Sequence, residues 1–155
     1  MTGAIASPLC TEIILQNDIT LTSTLEIDLP VMINGGNHII GVPFIKGDNA
    51  PRGITITNNV TLKNLTVNGP EGEISGVQGG HAIYITSGTV SIDTVTVKNF
   101  QKGGIYINGD FADATITNST VIGAGTTNVI AQNGIVVING TGDVSNTTLS
   151  GFDYI

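Results

Sequence analysis

Residues 53–67, GITITNNVTLKNLTV, hold three short alternating segments: Ile54-Thr55-Ile56, Val60-Thr61-Leu62 and Leu65-Thr66-Val67. Successive side chains of a strand point to opposite faces, so each segment reads as a half-buried strand. The gaps are residues 57–59 and Lys63-Asn64. Neither carries the Asn-Gly or Asp-Gly pair of a tight hairpin. Three strands joined by two gentle corners make one coil of a parallel β-helix.

The coil recurs. HAIYITSGTVSIDTVTV (81–97), GGIYINGDFADATITNSTV (103–121) and NGIVVINGTGDVSNTTL (133–149) repeat it. Aligning the first strand of each coil gives starts at 25, 54, 83, 105 and 135, with spacings of 29, 29, 22 and 30. A repeat in the twenties with insertions on one side marks a solenoid. Further strands are expected at 12–15, 19–21, 31–33 and 39–40, with residues 41–51 as an exposed loop. One coil cannot bury its inward residues alone, but coils stacked about 4.8 Å apart share a continuous core. Ile54, Ile83, Ile105 and Ile135 should then form an aliphatic ladder. The expected fold is all-β: a parallel β-helix of about five coils with three parallel sheets. The chain reads as a single domain over 1–155. Residues 1–11 would be an N-terminal arm or cap, 12–151 the coils, and 152–155 an open C-terminal end.

Insertions at 69–80, 100–102 and 123–132 fall at one corner and would form a rim beside the first sheet. Asn64, Asn118 and Asn146 fall at another corner, where Asp93-Thr94 stands in the intervening coil. Stacked corner amides can hydrogen-bond along the axis; Asn also simply tolerates turn dihedrals.

Bulk properties agree with a thin aliphatic core. Aromatic residues are 5% of the chain, and Trp is absent. Net charge is −7 and Arg52 is the single Arg, which argues against nucleic acid and against an electrostatic grip on polyanions. Cys10 is the only cysteine, so it is either inert or paired between chains. The opening MTGAIASPLC lacks the basic and apolar regions of a signal peptide. No stretch is long enough for a transmembrane helix.

The coils at 53–69, 104–121 and 133–151 resemble the right-handed parallel β-helix superfamily, the pectate-lyase-like fold, and VMINGGNHIIG (31–41) resembles the opening coil of such proteins. The resemblance implies a right-handed coil and, in many members, sugar chemistry. The catalytic patterns of that superfamily are missing. There is no Asp-Asp pair and no Arg-Ile-Lys or Asn-Thr-Asp, and Gly80-His81-Ala82 is a poor match to Gly-His-Gly. Arg52 follows Pro51 and is placed in a loop. The first sheet would present Glu26, Thr55, Tyr84, Tyr106 and Val136, which contain no acid/base pair. No catalytic residue and no cofactor are assigned.

Candidate binding residues are few. Tyr84 and Tyr106 occupy one outward position in consecutive coils, beside His81 at the rim. Their rings could pack a sugar, or form a ladder that stiffens the sheet. Glu71 and Glu73 could join His81 there, or be solvated loop charges. Asp110 and Asp113 could bind calcium through oxygens, or shape a turn; no other metal ligands are apparent. The Thr-rich strands (Thr20, Thr22, Thr55, Thr57, Thr94, Thr96, Thr115, Thr117) bring an ice-binding surface to mind, but do not form one regular two-column array. Strand propensity explains them as well. Five Asn-x-Ser/Thr sequons, at Asn59, Asn64, Asn118, Asn139 and Asn146, are expected by chance in such a repeat.

The expectation is therefore a non-enzymatic structural solenoid, extracellular or on a cell surface. It would self-associate through its coil ends, head to tail into fibres, with Cys10 able to form an intermolecular disulfide. The alternative is a carbohydrate-binding or degenerate lyase-like module with a polysaccharide partner. A lesser alternative is an ice-binding surface.

Overall fold

A computed structural model of the chain describes residues 10–42, 51–70, 80–123, 125–126, 128 and 130–152. It is all-β among these residues. The strands are β1 (Glu12–Ile14), β2 (Ile19–Thr20), β3 (Leu25–Ile27), β4 (Val31–Asn34), β5 (Ile39–Gly41), β6 (Arg52–Ile56), β7 (Val60–Asn68), β8 (His81–Lys98), β9 (Gly103–Thr117), β10 (Thr120–Ile122), β11 (Asn133–Ser145) and β12 (Thr148–Ser150). Every pairing is parallel. The long strands bend through corners, so a single continuous strand serves two or three faces.

Three ladders run up this parallel β-solenoid. The first sheet pairs β3, β6 and the starts of β8, β9 and β11, with Leu25, Ile54, Ile83, Ile105 and Ile135 in one register column. This is the alignment that the repeat spacing predicts. A second sheet stacks Ile13, Ile33, Leu62, Ile92, Ile116 and Val144. The third stacks Ile19, Ile40, Val67, Val97, Val121 and Leu149. Inside the stack these positions are sealed: Ile54, Ile83, Ile105, Ile92, Ile116, Val67, Val97 and Val121 are all 0% exposed. Burying each such side chain contributes roughly 1.5–3 kcal/mol. This column of β-branched residues explains why so few aromatic rings suffice.

Four sequence-based placements need correction. VMINGGNHIIG is not the opening coil, because β1 of the preceding coil pairs beneath β4. Residues 100–102 are not an exposed insertion. Phe100 is 2% exposed in the core, and Gln101 is buried beside it. Arg52 is not in a loop; it is the first residue of β6. The expected loop at 41–51 loses its two ends, since Gly41 closes β5 and both Val42 and Pro51 are buried. Its middle lies outside the described residues.

The corner between the second and third sheets turns on a left-handed residue in each coil. Asn64, Thr94, Asn118 and Asn146 have φ of 52°, 55°, 51° and 48°. Asn reaches this region at low cost and Thr does not. The amides also hydrogen-bond along the axis. Asn64 Nδ2 donates to Asn34 Oδ1 at 3.3 Å, Asn118 Nδ2 to Asp93 Oδ1 at 2.7 Å, and Asn146 Nδ2 to Asn118 Oδ1. Both roles considered for these residues operate together.

Candidate functional site

The first sheet's outward row is Glu26, Thr55, Tyr84, Tyr106 and Val136, as the coil alignment predicts. Three residues before it, Arg52, His81, Gly103 and Asn133 form another register row. The two rows merge into one stack of rings. Arg52 Cζ lies 3.7 Å from the centroid of the Tyr84 ring. Tyr84 and Tyr106 stack at 5.5 Å, and His81 lies 4.3 Å from Tyr106 and 5.5 Å from Tyr84, all within 10° of parallel. Gly103 makes this possible. A Cβ there would stand 3.1 Å from His81 Nδ1 and 3.5 Å from Tyr106 Cδ2, in the space through which Tyr106 leans over the imidazole.

The stack is largely closed to solvent. Tyr84 and His81 are each 9% exposed, while Tyr106 is half-buried. Arg52 and Tyr106 lie in the coils on either side of Tyr84, so both faces of that ring are occupied. The Tyr84 hydroxyl accepts from Asn108 Nδ2 at 2.9 Å, and Asn108 Oδ1 accepts from Asn139 Nδ2 at 3.1 Å. A cation over an aromatic face contributes about 0.5–2 kcal/mol. Arg52 is the member of this group that sequence reading missed, because the preceding Pro51 disguised the start of a strand.

Burial holds His81 neutral. Desolvation first, then the positive charges of Arg52 and Lys102, lowers its pKa from 6.5 to about 4. Its Nδ1 is buried without a hydrogen-bond partner, as are both side-chain polar atoms of Gln101 and the Thr55 hydroxyl. A base in a stack needs a path to substrate, and this imidazole is sealed between two tyrosines and Gly103. Glu71 and Glu73 lie outside the described residues.

Asp110 is exposed, and Asp113 Oδ1 accepts from the Thr141 hydroxyl of the next coil. Among the described residues no group of three His, Cys, Asp or Glu could hold a metal. One outward column on the third sheet holds Thr66, Thr96, Thr120 and Thr148, while Thr55 lies on the first sheet and Thr61 and Thr115 on the second. Its neighbouring column, Asn68, Lys98, Ile122 and Ser150, is mixed. Cys10 is a free, partly buried thiol packed against the core near the first coil, with Sγ donating to the Glu12 carbonyl at 3.4 Å.

The two ends of the stack differ. In the last coil the inward positions are Ile135, Val137, Val144 and Leu149, in register above Ile105, Ile107, Ile116 and Val121. The four lower residues are 0% exposed; Val137, Val144 and Leu149 are 43%, 46% and 46% exposed. Phe152 covers part of this end, folding over Gly134 to stack on Phe100 at 6.1 Å. At the other end Ile13, Leu15 and Ile27 are buried. A hollow of about 150 Å³, lined by residues 19–25, is left at one corner there.

No known protein family, curated protein or solved structure matches the chain. What stands of the resemblance is the parallel β-solenoid itself; nothing in these comparisons supports the pectate-lyase-like superfamily in particular. Among the described residues no helix is long and apolar enough to cross a membrane.

Proposed function

We propose that the chain is a non-enzymatic structural β-solenoid, a component of a cell surface or extracellular layer, that self-associates through the end of its coil stack. The observation that carries this reading is the open apolar face of the last coil. Val137, Val144 and Leu149 occupy positions that are sealed one coil below, yet here they meet solvent. Parallel strand edges without a partner invite pairing. The first sheet supports the non-catalytic part of the reading. Its outward row holds a single carboxylate, Glu26, and the nearby imidazole of His81 is stacked and neutral. Light scattering across a concentration series tests the proposal, with a mass that rises with concentration as the expected result. A strict monomer at the highest soluble concentration would refute it.

Carbohydrate binding is the second reading, and the half-buried Tyr106 beside Asn108 is what favours it. A polysaccharide would meet ring edges there, since the faces of Tyr84 are taken by Arg52 and Tyr106. A thermal-shift screen with neutral polysaccharides, repeated on Tyr106→Ala, separates the readings. A shift that disappears in the variant favours sugar binding.

A further inference from the structure

We infer that Arg52 is the centre of a binding site for one small oxyanion, a carboxylate or a sulfate, on the first sheet. The inference is independent of how the chain associates. Arg52 is the single Arg of a chain with 12 Asp and Glu and a net charge of −7. Carboxylates outnumber cations, so an internal partner would be easy to supply, yet this guanidinium has none. The ion pairs among the described residues are His38–Asp18 and Lys63–Glu12. Glu26, the carboxylate of the same sheet, is exposed and makes no ion pair with Arg52. Among the described residues the guanidinium donates no hydrogen bond either. The backbone of Arg52 is engaged instead, its carbonyl accepting from the Thr24 hydroxyl at 2.9 Å.

The surroundings fix what this group can take. Its Cζ lies 3.7 Å from the Tyr84 centroid, so the ring covers one face of the guanidinium and leaves the N–H donors of its edge. Arg52 is half-buried, so that edge keeps a path to solvent. Thr55 pairs in register with Tyr84 and lies beneath the same ring. It is 5% exposed, and its hydroxyl has no hydrogen-bond partner. A buried donor without an acceptor is costly to hold. The guest that answers both groups is an acceptor with negative charge. Guanidinium binds carboxylate and sulfate oxygens in pairs, whereas a neutral sugar leaves the charge unpaired and a metal cation is repelled. The register row through Arg52 continues as His81, Gly103 and Asn133, with no second fixed charge. The site therefore suits a single small oxyanion rather than a polyanion, which needs a row of cations.

His81 reports on occupancy. It stands one coil above Arg52 in register, and its ring is faced by Tyr84 of its own strand and Tyr106 of β9. After burial, the charges of Arg52 and then Lys102 depress its pKa. An anion on Arg52 offsets the first of these charges and raises that pKa. By linkage, the anion then binds more tightly as His81 takes up its proton.

Nuclear magnetic resonance titration of the intact chain tests this with sodium sulfate and, separately, sodium acetate, each at constant ionic strength held with sodium chloride. The expected result is a saturable one-site shift of the Arg52 Nε–H and Tyr84 ring signals, with dissociation in the millimolar range, and an upward move of the His81 titration midpoint. The anion that saturates at lower concentration identifies the preferred class. Arg52→Gln should abolish the shift, and Arg52→Lys, which keeps the charge but not the paired donors, should weaken it severalfold. Lys98→Gln removes a cation from the third sheet and should leave it unchanged. Shifts that follow ionic strength whichever salt is added, that survive Arg52→Gln, or that vanish with Lys98→Gln would overturn the site. Circular dichroism checks each fold, and Arg52→Lys carries the test if Arg52→Gln is perturbed.

Discussion

Thr94 is the one β-branched residue among the four that turn the corner between the second and third sheets. Its φ of 55° matches the 48–52° of Asn64, Asn118 and Asn146, so the fold imposes the conformation whatever residue stands there. A left-handed β-branched residue stores about 1–2 kcal/mol. Asn enters this region with much less strain. Thr94 is exposed, so replacing it disturbs no packing. One interaction is lost, because the Thr94 hydroxyl is among the donors that hold the Asp93 carboxylate below its ordinary pKa, after Asn118 and Thr117. An amide at 94 can donate to Asp93 in its place, as Asn118 does from the next coil.

Thr94→Asn should therefore stabilise the protein by about 1 kcal/mol, mostly through released strain. In a chain of this size that raises the melting temperature by about 2–4 °C. Thr94→Gly releases the same strain but adds freedom to the unfolded chain, which costs about 0.5–1 kcal/mol, so its gain should be near zero. Urea unfolding followed by far-ultraviolet circular dichroism measures both, and an unchanged slope with denaturant shows that the folded and unfolded states are comparable. The ranking Asn above Gly, with Gly close to Thr, is the signature. An Asn variant no more stable than wild type would show that the corner stores no strain at Thr94.

Two other predictions follow from burial. The folded His81 has a pKa near 4 against 6.5 in the unfolded chain, so between those values the unfolded state binds more protons and stability falls as pH falls. The effect is at most about 3 kcal/mol and is absent above pH 6.5. His81→Phe keeps a ring in the stack and should lose that slope; a wild-type slope in the variant would mean that His81 is not the titrating group. The second prediction contrasts the same sheet column inside and at the end of the stack. Ile107→Ala, at 0% exposure, should cost about 3–4 kcal/mol, whereas Val137→Ala, one coil higher and 43% exposed, should cost about 1 kcal/mol or less. Thermal unfolding of dilute monomer compares them, and equal costs would contradict the open end.

Much of the coil geometry was legible because a solenoid writes its register into its spacing. Starts at 25, 54, 83, 105 and 135 align the Leu25–Ile135 column without any structural information, and the structure keeps that alignment. Period-two alternation marks the inward residues, and Asn marks the corners. The misplacements occur where the local signal points the wrong way. Pro51 made Arg52 look like a loop residue, although it opens β6 and covers Tyr84. Phe100 sits in the polar run KNFQKGG, yet its ring enters the core. The ring stack was half legible. The shared outward position of Tyr84 and Tyr106 follows from period two, but the closure of the stack depends on Gly103 leaving room and on Arg52 arriving from the coil below.

The exposure of the inward residues of the coil at 133–149 was not legible, although an open C-terminal end was expected, and the reason is physical. Periodicity identifies which residues face inward; it carries no information about what lies above or below them. Val144 and Ile116 have the same place in the pattern, and only the presence of a covering coil makes one 46% and the other 0% exposed. In a stack where each coil contacts only its neighbours, stability is close to a sum of nearest-neighbour terms. A middle coil has two such terms and an end coil has one. Each end coil of the described stack is therefore less stable than a middle coil, and the coil at 133–149 is the one whose inward Val137, Val144 and Leu149 are half-exposed. The property that makes it marginal, an apolar face that Phe152 covers only in part, is the same one that would make it adhesive. A structural role for this chain thus needs no chemistry beyond that of its own repeat: the forces that stack coil on coil within the molecule are those that would join one molecule to the next.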